Sequence, residues 1–302
     1  MNNKPLASLL IALLFLGTSF AEPFQFQNDD VVVMLGNTFI ERAQQSGHIE
    51  TQLTLAAGDK KVKFRNLGWS GDTVYGAARS YFGPPQEGFD RLSKQIGELQ
   101  PNVMFINYGA VAAFEGADGI AEFLKGYRRL LDMIYEKSVP REVVLISPAP
   151  AENLGAPLPD QTELNRNLAL FRDAIQELAQ SRNAHFLDLF SSIISDENLT
   201  TNGIHYSDEG YKHVAPVFTE ALGLKPVESA RLDDDAIERL RQKIIEKNRL
   251  YFHRWRPANE TYLHLFRKHE QGQNARELPL FEPLVEAREI EIQVFKQLVF
   301  SK

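Results

Sequence analysis

The chain has 302 residues, of which 43% are hydrophobic and 10% aromatic, so it holds enough apolar material for one large core or two smaller ones. Its formal net charge is −7, which argues against a surface for nucleic acid or anionic membranes, because those partners need clustered Lys and Arg. The sequence has no cysteine, and this excludes disulfides, a thiolate nucleophile, a zinc–thiolate site and a c-type haem attachment.

The N-terminal segment resembles a secretory signal peptide. Lys4 precedes an apolar run over residues 5–20, and Ser19 and Ala21 supply the small side chains that a signal peptidase recognises. We therefore expect residues 1–21 to be removed before Glu22, and the mature protein to be exported, periplasmic or secreted, with no membrane span. An uncleaved membrane anchor is the alternative, although the apolar core is shorter than the ~20 residues that span a bilayer.

Beyond this segment, short apolar runs alternate with stretches of helical periodicity. The runs that predict strands are residues 31–35, 61–64, 102–106, 142–146 and 184–188. The stretches that predict helices are residues 88–99, 120–135, 162–180 and 208–222. Strands that alternate with helices predict a parallel sheet covered on both faces, with the ligand site on the loops after the carboxyl ends of the strands. The second run alternates polar and apolar residues, which places it near an edge.

The composition changes near Pro226. From Arg231 onward the chain is charged, helical in pattern and almost free of glycine, and a second helical pattern closes it. We predict a main domain over residues 22–225 and a helical extension over residues 226–302. Aromatic and basic side chains are interleaved over residues 251–262. They suit packing against the main domain, which we favour, or the binding of sugars and carboxylates.

Four short blocks follow predicted strands or close the main domain. The first ends in Gly-Asn-Thr at Thr38, the second contains Gly71, the third contains Val111, and the fourth reads Asn-Gly-Ile-His and ends at His205. In this order, the blocks over residues 30–222 resemble those of the SGNH (GDSL-like) hydrolase superfamily. The resemblance implies a three-layer α/β/α sandwich with a parallel, flavodoxin-like sheet. It also implies descent from esterases, lipases or carbohydrate acetylesterases.

The resemblance assigns a role to each block. It places Thr38 at the nucleophile position, Gly71 and the backbone of Thr38 at the oxyanion-binding positions, and His205 at the base. Asn202 stands where the family has the Asp that orients the base, and Val111 stands where it has an oxyanion-binding Asn. The chain also resembles an exported bacterial subgroup in which Gly-Asn-Thr-Phe-Ile-Glu-Arg and Asn-Gly-Ile-His are usual. That subgroup keeps Asn-Glu in the third block, where this chain has Val-Ala, and the likeness continues into the C-terminal helices.

These substitutions weaken the predicted acyl-transfer machinery. Thr38 has the needed hydroxyl, but its extra methyl group restricts χ1. Asn202 could accept the Nδ1 proton of His205 through its carbonyl, yet it cannot stabilise the imidazolium as a carboxylate does. In serine proteases, Asp to Asn in this role lowers kcat about 10⁴-fold. Val111 donates no hydrogen bond, and loss of one oxyanion donor costs on the order of 10²–10³ in kcat.

Simpler interpretations stay open for the same residues. Thr38 suits a helix N-cap, Asn202 before Gly suits a plain turn, and Gly71 suits a turn glycine. Asp72 and Glu115 lie near the predicted site, but we expect both to be structural or solvated rather than to replace the missing acid.

The remaining features bear on the wall of the site and its ligands. The proline-rich loop over residues 147–160 either walls the site or is a rigid surface connection. We predict no cofactor and no metal, since His264 and His269 lack the i, i+4 spacing of a helical site. No feature of the sequence specifies an oligomeric state.

Two functions remain in competition. The first is weak or altered hydrolysis of acyl or acetylated-carbohydrate esters, with a small-molecule or glycan substrate. The second is a catalytically degenerate hydrolase that binds a glycan or acyl ligand or serves as a scaffold, and a variant of it uses the tail to contact another envelope protein. The order of the four blocks favours the first, and the altered third and fourth blocks favour the second.

Overall fold

A computed structural model describes residues 23–194, 198–227 and 233–300. Its centre is a five-stranded parallel sheet in the order β2-β1-β3-β4-β5. The strands are β1 (Asp30–Gly36), β2 (Val62–Asn66), β3 (Val103–Asn107), β4 (Glu142–Ile146) and β5 (His185–Leu187). This is the flavodoxin-like order, so the predicted fold is confirmed. The predicted run over residues 61–64, in which polar and apolar residues alternate, is β2, and it lies at an edge of the sheet as predicted.

Helices cover both faces of the sheet. They are α1 (Thr38–Ser46), α2 (His48–Ala56), α3 (Pro85–Leu99), α4 (Ile120–Lys137), α5 (Thr162–Ser181), α6 (Leu189–Ser192), α7 (Asp208–Ala221), α8 (Asp234–Trp255), α9 (Glu260–Leu263), α10 (Lys268–Gln271) and α11 (Phe281–Val299). Short 3-10 segments occupy Ala77–Ser80, Ala112–Gly119 and Gly272–Leu280. The strands and helices predicted for the main domain lie within three residues of their expected bounds. The sequence patterns did not single out α1 and α2.

Strands β1, β3 and β4 bury side chains on both faces, which explains their continuous apolar runs. Along β1, Val33 and Leu35 point into the core under α3, α4 and α5. Val32 and Met34 point into the opposite core, under α1, α2 and α7. The two cores fix the sheet between its helical layers and leave the loops at the strand ends free to form a site.

A close approach at the end of β1 positions the first of these loops. A Cβ atom on Gly36 would lie 2.5 Å from the carbonyl oxygen of Asn107 and 2.7 Å from Cγ1 of Ile40. Only glycine fits where β1 passes the end of β3 and turns into α1. The start of α1 is therefore held beside the end of β3.

The C-terminal helices dock beside the edge strand β2. Helix α8 packs against α1, α2 and β2, and α11 packs along α8. Buried charges join the two parts: Lys247 donates to Glu50 at 2.5 Å and to the carbonyl oxygen of Phe64 at 3.1 Å. Arg65 on β2 forms a 2.5 Å ion pair with Glu289 on α11. Both pairs are largely shielded from solvent, so the docking of these helices depends on charge complementarity as well as apolar packing.

Within the described ranges, no helix combines the length and apolarity required to cross a bilayer. The predicted signal peptide falls on residues 1–21, outside the described residues.

Candidate active site

A small cavity opens at the carboxyl edge of the sheet, beside the loops that follow β1 and β3. The chain passes from β1 to β2 on one side of this point and from β3 to β4 on the other, and open α/β sheets bind their ligands where the connections diverge in this way. The cavity has a volume of about 100 Å³. It is lined by Asn37, Thr38, Phe39, Asn107, Ala110, Val111, Phe114, Ala149, Pro150, Ala151, Leu164, Leu168, Ile204, His205 and Tyr206. Three of the predicted site residues, Thr38, Val111 and His205, therefore share one cavity.

Thr38 is the first residue of α1. Its Oγ1 accepts a hydrogen bond from the backbone N–H of Gly71 at 3.3 Å. Gly71 has a φ of +72°, which glycine adopts without strain, so the loop after β2 can aim this N–H at the cavity wall. The N-cap of α1 is Asn37, and no side chain caps the helix. The N-cap interpretation of Thr38 is therefore wrong, and its hydroxyl lies beside the glycine N–H instead.

His205 lies in a tight hairpin before α7. An antiparallel bridge between Thr200 and Tyr206 closes the hairpin, and the hydroxyl of Thr200 accepts the N–H of Gly203 at 2.9 Å. The hairpin thereby holds the half-buried imidazole at the same cavity that Thr38 lines.

The orientation of Asn202 is fixed by the backbone of this hairpin. Its Oδ1 accepts the N–H groups of Ile204 at 3.2 Å and His205 at 2.8 Å. The amide nitrogen is consequently the atom that faces Nδ1 of His205, at 3.2 Å. Turning the amide over would set its NH₂ group against two N–H donors. The turn interpretation of Asn202 is confirmed, whereas the expectation that its carbonyl accepts the Nδ1 proton is wrong.

This arrangement decides the tautomer of the imidazole. Because Asn202 donates to Nδ1, the neutral ring of His205 carries its proton on Nε2. Burial lowers the pKa of His205, and the positive charge of Arg42 lowers it further, so the ring is neutral at pH 7. A general base at this position needs the opposite tautomer, with a lone pair on Nε2. The resting site therefore presents His205 as a donor.

The oxyanion side of the cavity lacks the donor of the third block. Val111 lines the wall and offers only methyl groups. Asn107, also on the wall, donates its amide to the carbonyl oxygens of Ile146 at 3.4 Å and Ser147 at 2.7 Å, so its donors are already used. Asn37 is 2% exposed, and its Nδ2 has no partner among the described residues.

A buried ion pair shapes the loop that carries Gly71. Asp72 accepts the Nε–H of Arg79 at 2.7 Å and the hydroxyl of Tyr108 at 3.0 Å. Burial raises the pKa of Tyr108 well above its ordinary value, and the Asp72 charge raises it further, so the phenol stays a donor. Asp72 is fully buried and structural, as expected. Glu115 is exposed and lines a neighbouring cavity that shares Val111.

The proline-rich loop after β4 walls the cavity, so that interpretation is confirmed. Residues 149–151 belong to the lining. Glu152 accepts the backbone N–H groups of Leu199 and Thr200, each at 2.7 Å, and the Thr200 hydroxyl at 2.6 Å. The Tyr206 hydroxyl donates to the carbonyl oxygen of Pro150 at 3.1 Å. The loop thus clamps the His205 hairpin. Sequence reasoning missed Glu152 because its partners are backbone groups, which leave no residue pattern.

The aromatic and basic stretch over residues 251–262 packs against the main domain, as favoured. The guanidinium of Arg256 stacks 3.6 Å from the ring centroid of Trp69 and pairs with Glu41 at 3.1 Å. The Trp255 ring lies 5.8 Å from that of Trp69. Glu41 is on α1 one turn after Thr38, so these contacts brace the helix that carries the predicted nucleophile.

Comparison with known proteins relates this chain to a hydrolase family. The model of the GDSL-like lipase/acylhydrolase family matches residues 23–213. No curated protein matches the chain.

Solved structures share the fold at low sequence identity. A gut microbial diltiazem-metabolizing enzyme aligns with a TM-score of 0.66 and 11% identity, over 93% of this chain and 97% of its own. A protein of Parabacteroides merdae described as a GDSL-like lipase aligns with a TM-score of 0.54 and 19% identity, over 67% of this chain and 99% of its own. A catalytic mutant of an acetylxylan esterase from Geobacillus stearothermophilus gives a TM-score of 0.49 and 16% identity, over 68% and 100%. The first alignment takes in the C-terminal helices as well as the sandwich.

Proposed function

The chain belongs to the GDSL-like lipase/acylhydrolase family, and from this premise we propose that it is a slow hydrolase of short acyl esters, with Thr38 as the nucleophile and His205 as the base. The observation that carries the proposal is the convergence of Thr38 and His205 on one cavity, with the Gly71 N–H at the Thr38 hydroxyl. A hydroxyl, an imidazole and an oxyanion donor are the minimum that acyl transfer needs.

The reaction follows from these positions. Oγ1 of Thr38 attacks the ester carbonyl carbon, and its proton passes to Nε2 of His205. The carbonyl oxygen becomes an oxyanion, which the backbone N–H groups of Gly71 and Thr38 stabilise. The imidazolium returns the proton to the leaving alcohol, and water then releases the acid from Thr38 by the same route in reverse.

The Asn202 amide makes this reaction slow. The imidazole can accept the Thr38 proton only in the tautomer that places an N–H on Nδ1, and there that N–H meets the NH₂ of Asn202. In the imidazolium that follows, both ring nitrogens are donors and the conflict persists. A neutral amide also offers no charge to balance the imidazolium.

The size of the cavity supports a short acyl group. A volume of about 100 Å³ is smaller than the ~150 Å³ of an apolar cavity that binds benzene. An acetyl group fits within such a space, while the alcohol portion of the ester stays outside. Phe114 and Ile204 line the cavity and are 68% and 42% exposed, so they offer an apolar rim to that portion. Acetylated carbohydrates are the substrate class that we propose.

The N-terminal sequence supports an exported location for this activity. An apolar segment followed by Ser19-Phe20-Ala21 is typical of a signal peptide. N-terminal sequencing of the protein recovered from the periplasm or medium should begin at Glu22. Recovery of the uncleaved chain in the membrane fraction would support the anchor instead.

The test compares hydrolysis of p-nitrophenyl acetate and acetylated xylose by four proteins. Wild type and His264→Ala, which removes an exposed histidine of the tail, should show the same low rate. His205→Ala and Thr38→Ala should fall to the rate of buffer. Equal rates for wild type and His205→Ala would contradict the proposal.

The orientation of Asn202 and the apolar Val111 favour a second candidate, a binding protein that keeps the cavity of an ancestral hydrolase. His205 would then serve as a donor to a carbonyl or carboxylate oxygen. This candidate predicts saturable binding of an acyl or glycan ligand and no covalent labelling of Thr38 by a fluorophosphonate probe. Labelling that maps to Thr38 by mass spectrometry would exclude it.

A further inference from the structure

We propose that the side-chain amide of Asn37 donates the hydrogen bond to the oxyanion that Val111 cannot supply. The inference rests on the proposed function and adds a catalytic residue to it. It concerns the same cavity, at the point where β1 passes into α1.

The position of Asn37 suits this role. It directly precedes Thr38, and it lines the cavity together with Thr38, Val111 and His205. The residue is 2% exposed, and its Nδ2 makes no hydrogen bond within the part of the chain that the structure describes. A residue of the cavity wall, next to the predicted nucleophile, therefore carries a buried amide donor without a partner.

Leaving a buried donor unsatisfied costs stability. Several buried side-chain atoms of the described residues lack a partner, and Asn37 is the residue among them that lines this cavity. Asn37 occupies the N-cap of α1, where an Asn side chain normally caps the helix, yet it makes no capping bond. Asn107, the other asparagine of the wall, has its amide bonded to two carbonyl oxygens. The amide nitrogen of Asn107 is therefore satisfied within the fold, whereas that of Asn37 is available to a ligand.

An oxyanion is the partner that the surroundings favour. The first turn of α1 presents unpaired backbone N–H groups, and the positive end of its dipole attracts negative charge. The oxyanion forms on the carbon that Thr38 attacks, next to the Gly71 N–H. A donor that stays unpaired in the resting site and is satisfied only when this charge develops lowers the barrier rather than the KM.

The experiment uses Asn37→Leu, which keeps the number and branching of the side-chain heavy atoms but removes the donor. Because wild-type rates are expected to be low, the kinetics are measured with p-nitrophenyl acetate in the Asn202→Asp background. We expect kcat to fall on the order of 10²–10³-fold with little change in KM. The melting temperature should stay the same or rise, since an unsatisfied buried group is lost.

Two further variants separate catalysis from structure. Asn107→Leu is the matched control, and its melting temperature should fall, because Ile146 and Ser147 lose a donor. Adding Val111→Asn to Asn37→Leu should recover at least 10-fold of the lost kcat, since it places a donor at the family's usual position. Asn37→Ala replaces Asn37→Leu if the leucine prevents folding.

Retention of kcat within threefold by Asn37→Leu would overturn the inference. So would a melting temperature that falls as far as that of Asn107→Leu with no rescue by Val111→Asn. If neither wild type nor Asn202→Asp turns over, the proposed function fails on its own, and binding of sodium acetate followed by NMR decides the role of Asn37. Binding at least 10-fold weaker to Asn37→Leu than to wild type would support the role, and equal affinity would overturn it.

Discussion

The buried charges under the C-terminal helices and the buried amide of Asn37, in the cavity at the carboxyl edge, differ in whether they have partners. Under the helices, the Lys247 ammonium, which is fully buried, has two acceptors, and Arg65 is paired with Glu289. In the cavity, the buried amide nitrogen of Asn37 has no partner among the described residues. Burying a charge is tolerable only with close partners, so the first arrangement serves stability. The second is costly for folding and makes sense where a ligand completes it.

The comparison predicts that stability and activity separate in space. Substitutions under the helices should lower the free energy of unfolding and leave the activity of the folded protein unchanged. Substitutions of Asn37 and Asn202 in the cavity should change the activity without lowering the free energy of unfolding.

The largest expected effect comes from Asn202→Asp. A carboxylate can accept both the backbone N–H of His205 and its Nδ1–H, which restores the tautomer with a lone pair on Nε2. We expect kcat for p-nitrophenyl acetate to rise by up to about 10⁴-fold, equivalent to about 5.4 kcal/mol of transition-state stabilisation. Asn198→Asp adds the same charge to an exposed position just before the hairpin and should have no effect. A rate for Asn202→Asp within threefold of wild type would show that the tautomer does not limit the reaction.

The next effect is on stability. Lys247→Met leaves Glu50 buried without its cation, and loss of one partner of a buried pair costs about 3–5 kcal/mol. Lys243→Met is the matched control on the same helix, since Lys243 pairs with Glu246 and Glu291 in a partly exposed position. That change should cost less than about 1 kcal/mol. Urea unfolding measures the free energy of unfolding of both variants. If Lys247→Met costs as little as Lys243→Met, the C-terminal helices dock without help from the buried charge.

The third effect concerns the nucleophile itself. Thr38→Ser removes the methyl group that restricts χ1, and a side chain forced off its rotamer costs about 0.5–1.5 kcal/mol. We expect kcat to rise by up to about 10-fold, with an unchanged melting temperature. Thr201→Ser, in the His205 hairpin, controls for the loss of a methyl group near the site. A fall in kcat for Thr38→Ser would indicate that the methyl group helps to place the hydroxyl.

Much of the fold could be predicted because its causes are local. Strands β1, β3 and β4 bury both faces, so their runs are continuously apolar, and β2 alternates because its polar residues Lys63 and Arg65 pair with carboxylates of α11. Helix α2 was missed because the side that it buries includes Glu50, Thr51 and Thr54 rather than an apolar stripe. Glu50 is buried only because Lys247, almost 200 residues later, lies against it. No local pattern contains that information.

In the candidate site, too, some features could be predicted from the sequence and others depend on contacts that only the folded structure shows. Thr38, Gly71 and His205 were predicted because each belongs to a short block at a strand end or hairpin, and such blocks meet at one edge of a parallel sheet. The direction of the Asn202 amide was predicted wrongly, because two backbone N–H groups of the hairpin decide it. The role of Asn37 depends on a partner that is missing, which a sequence cannot display.

The smallest expected effect is on pH dependence, and it tests the same contact between Asn202 and His205. Burial and the Arg42 charge lower the pKa of His205 below 6.5, so the imidazole stays neutral to lower pH than free histidine. Since the reaction needs the neutral ring, kcat/KM of wild type should fall only as the pH drops below 6.5. In Asn202→Asp, a carboxylate beside Nδ1 favours the imidazolium, so the inflection of the kcat/KM profile should move to higher pH. The plateau of that profile should also be higher than in wild type. Profiles of both proteins with p-nitrophenyl acetate give this shift directly. Coincident inflections would mean that residue 202 does not contact the ring during catalysis, and the cavity would then have to obtain its base from another group.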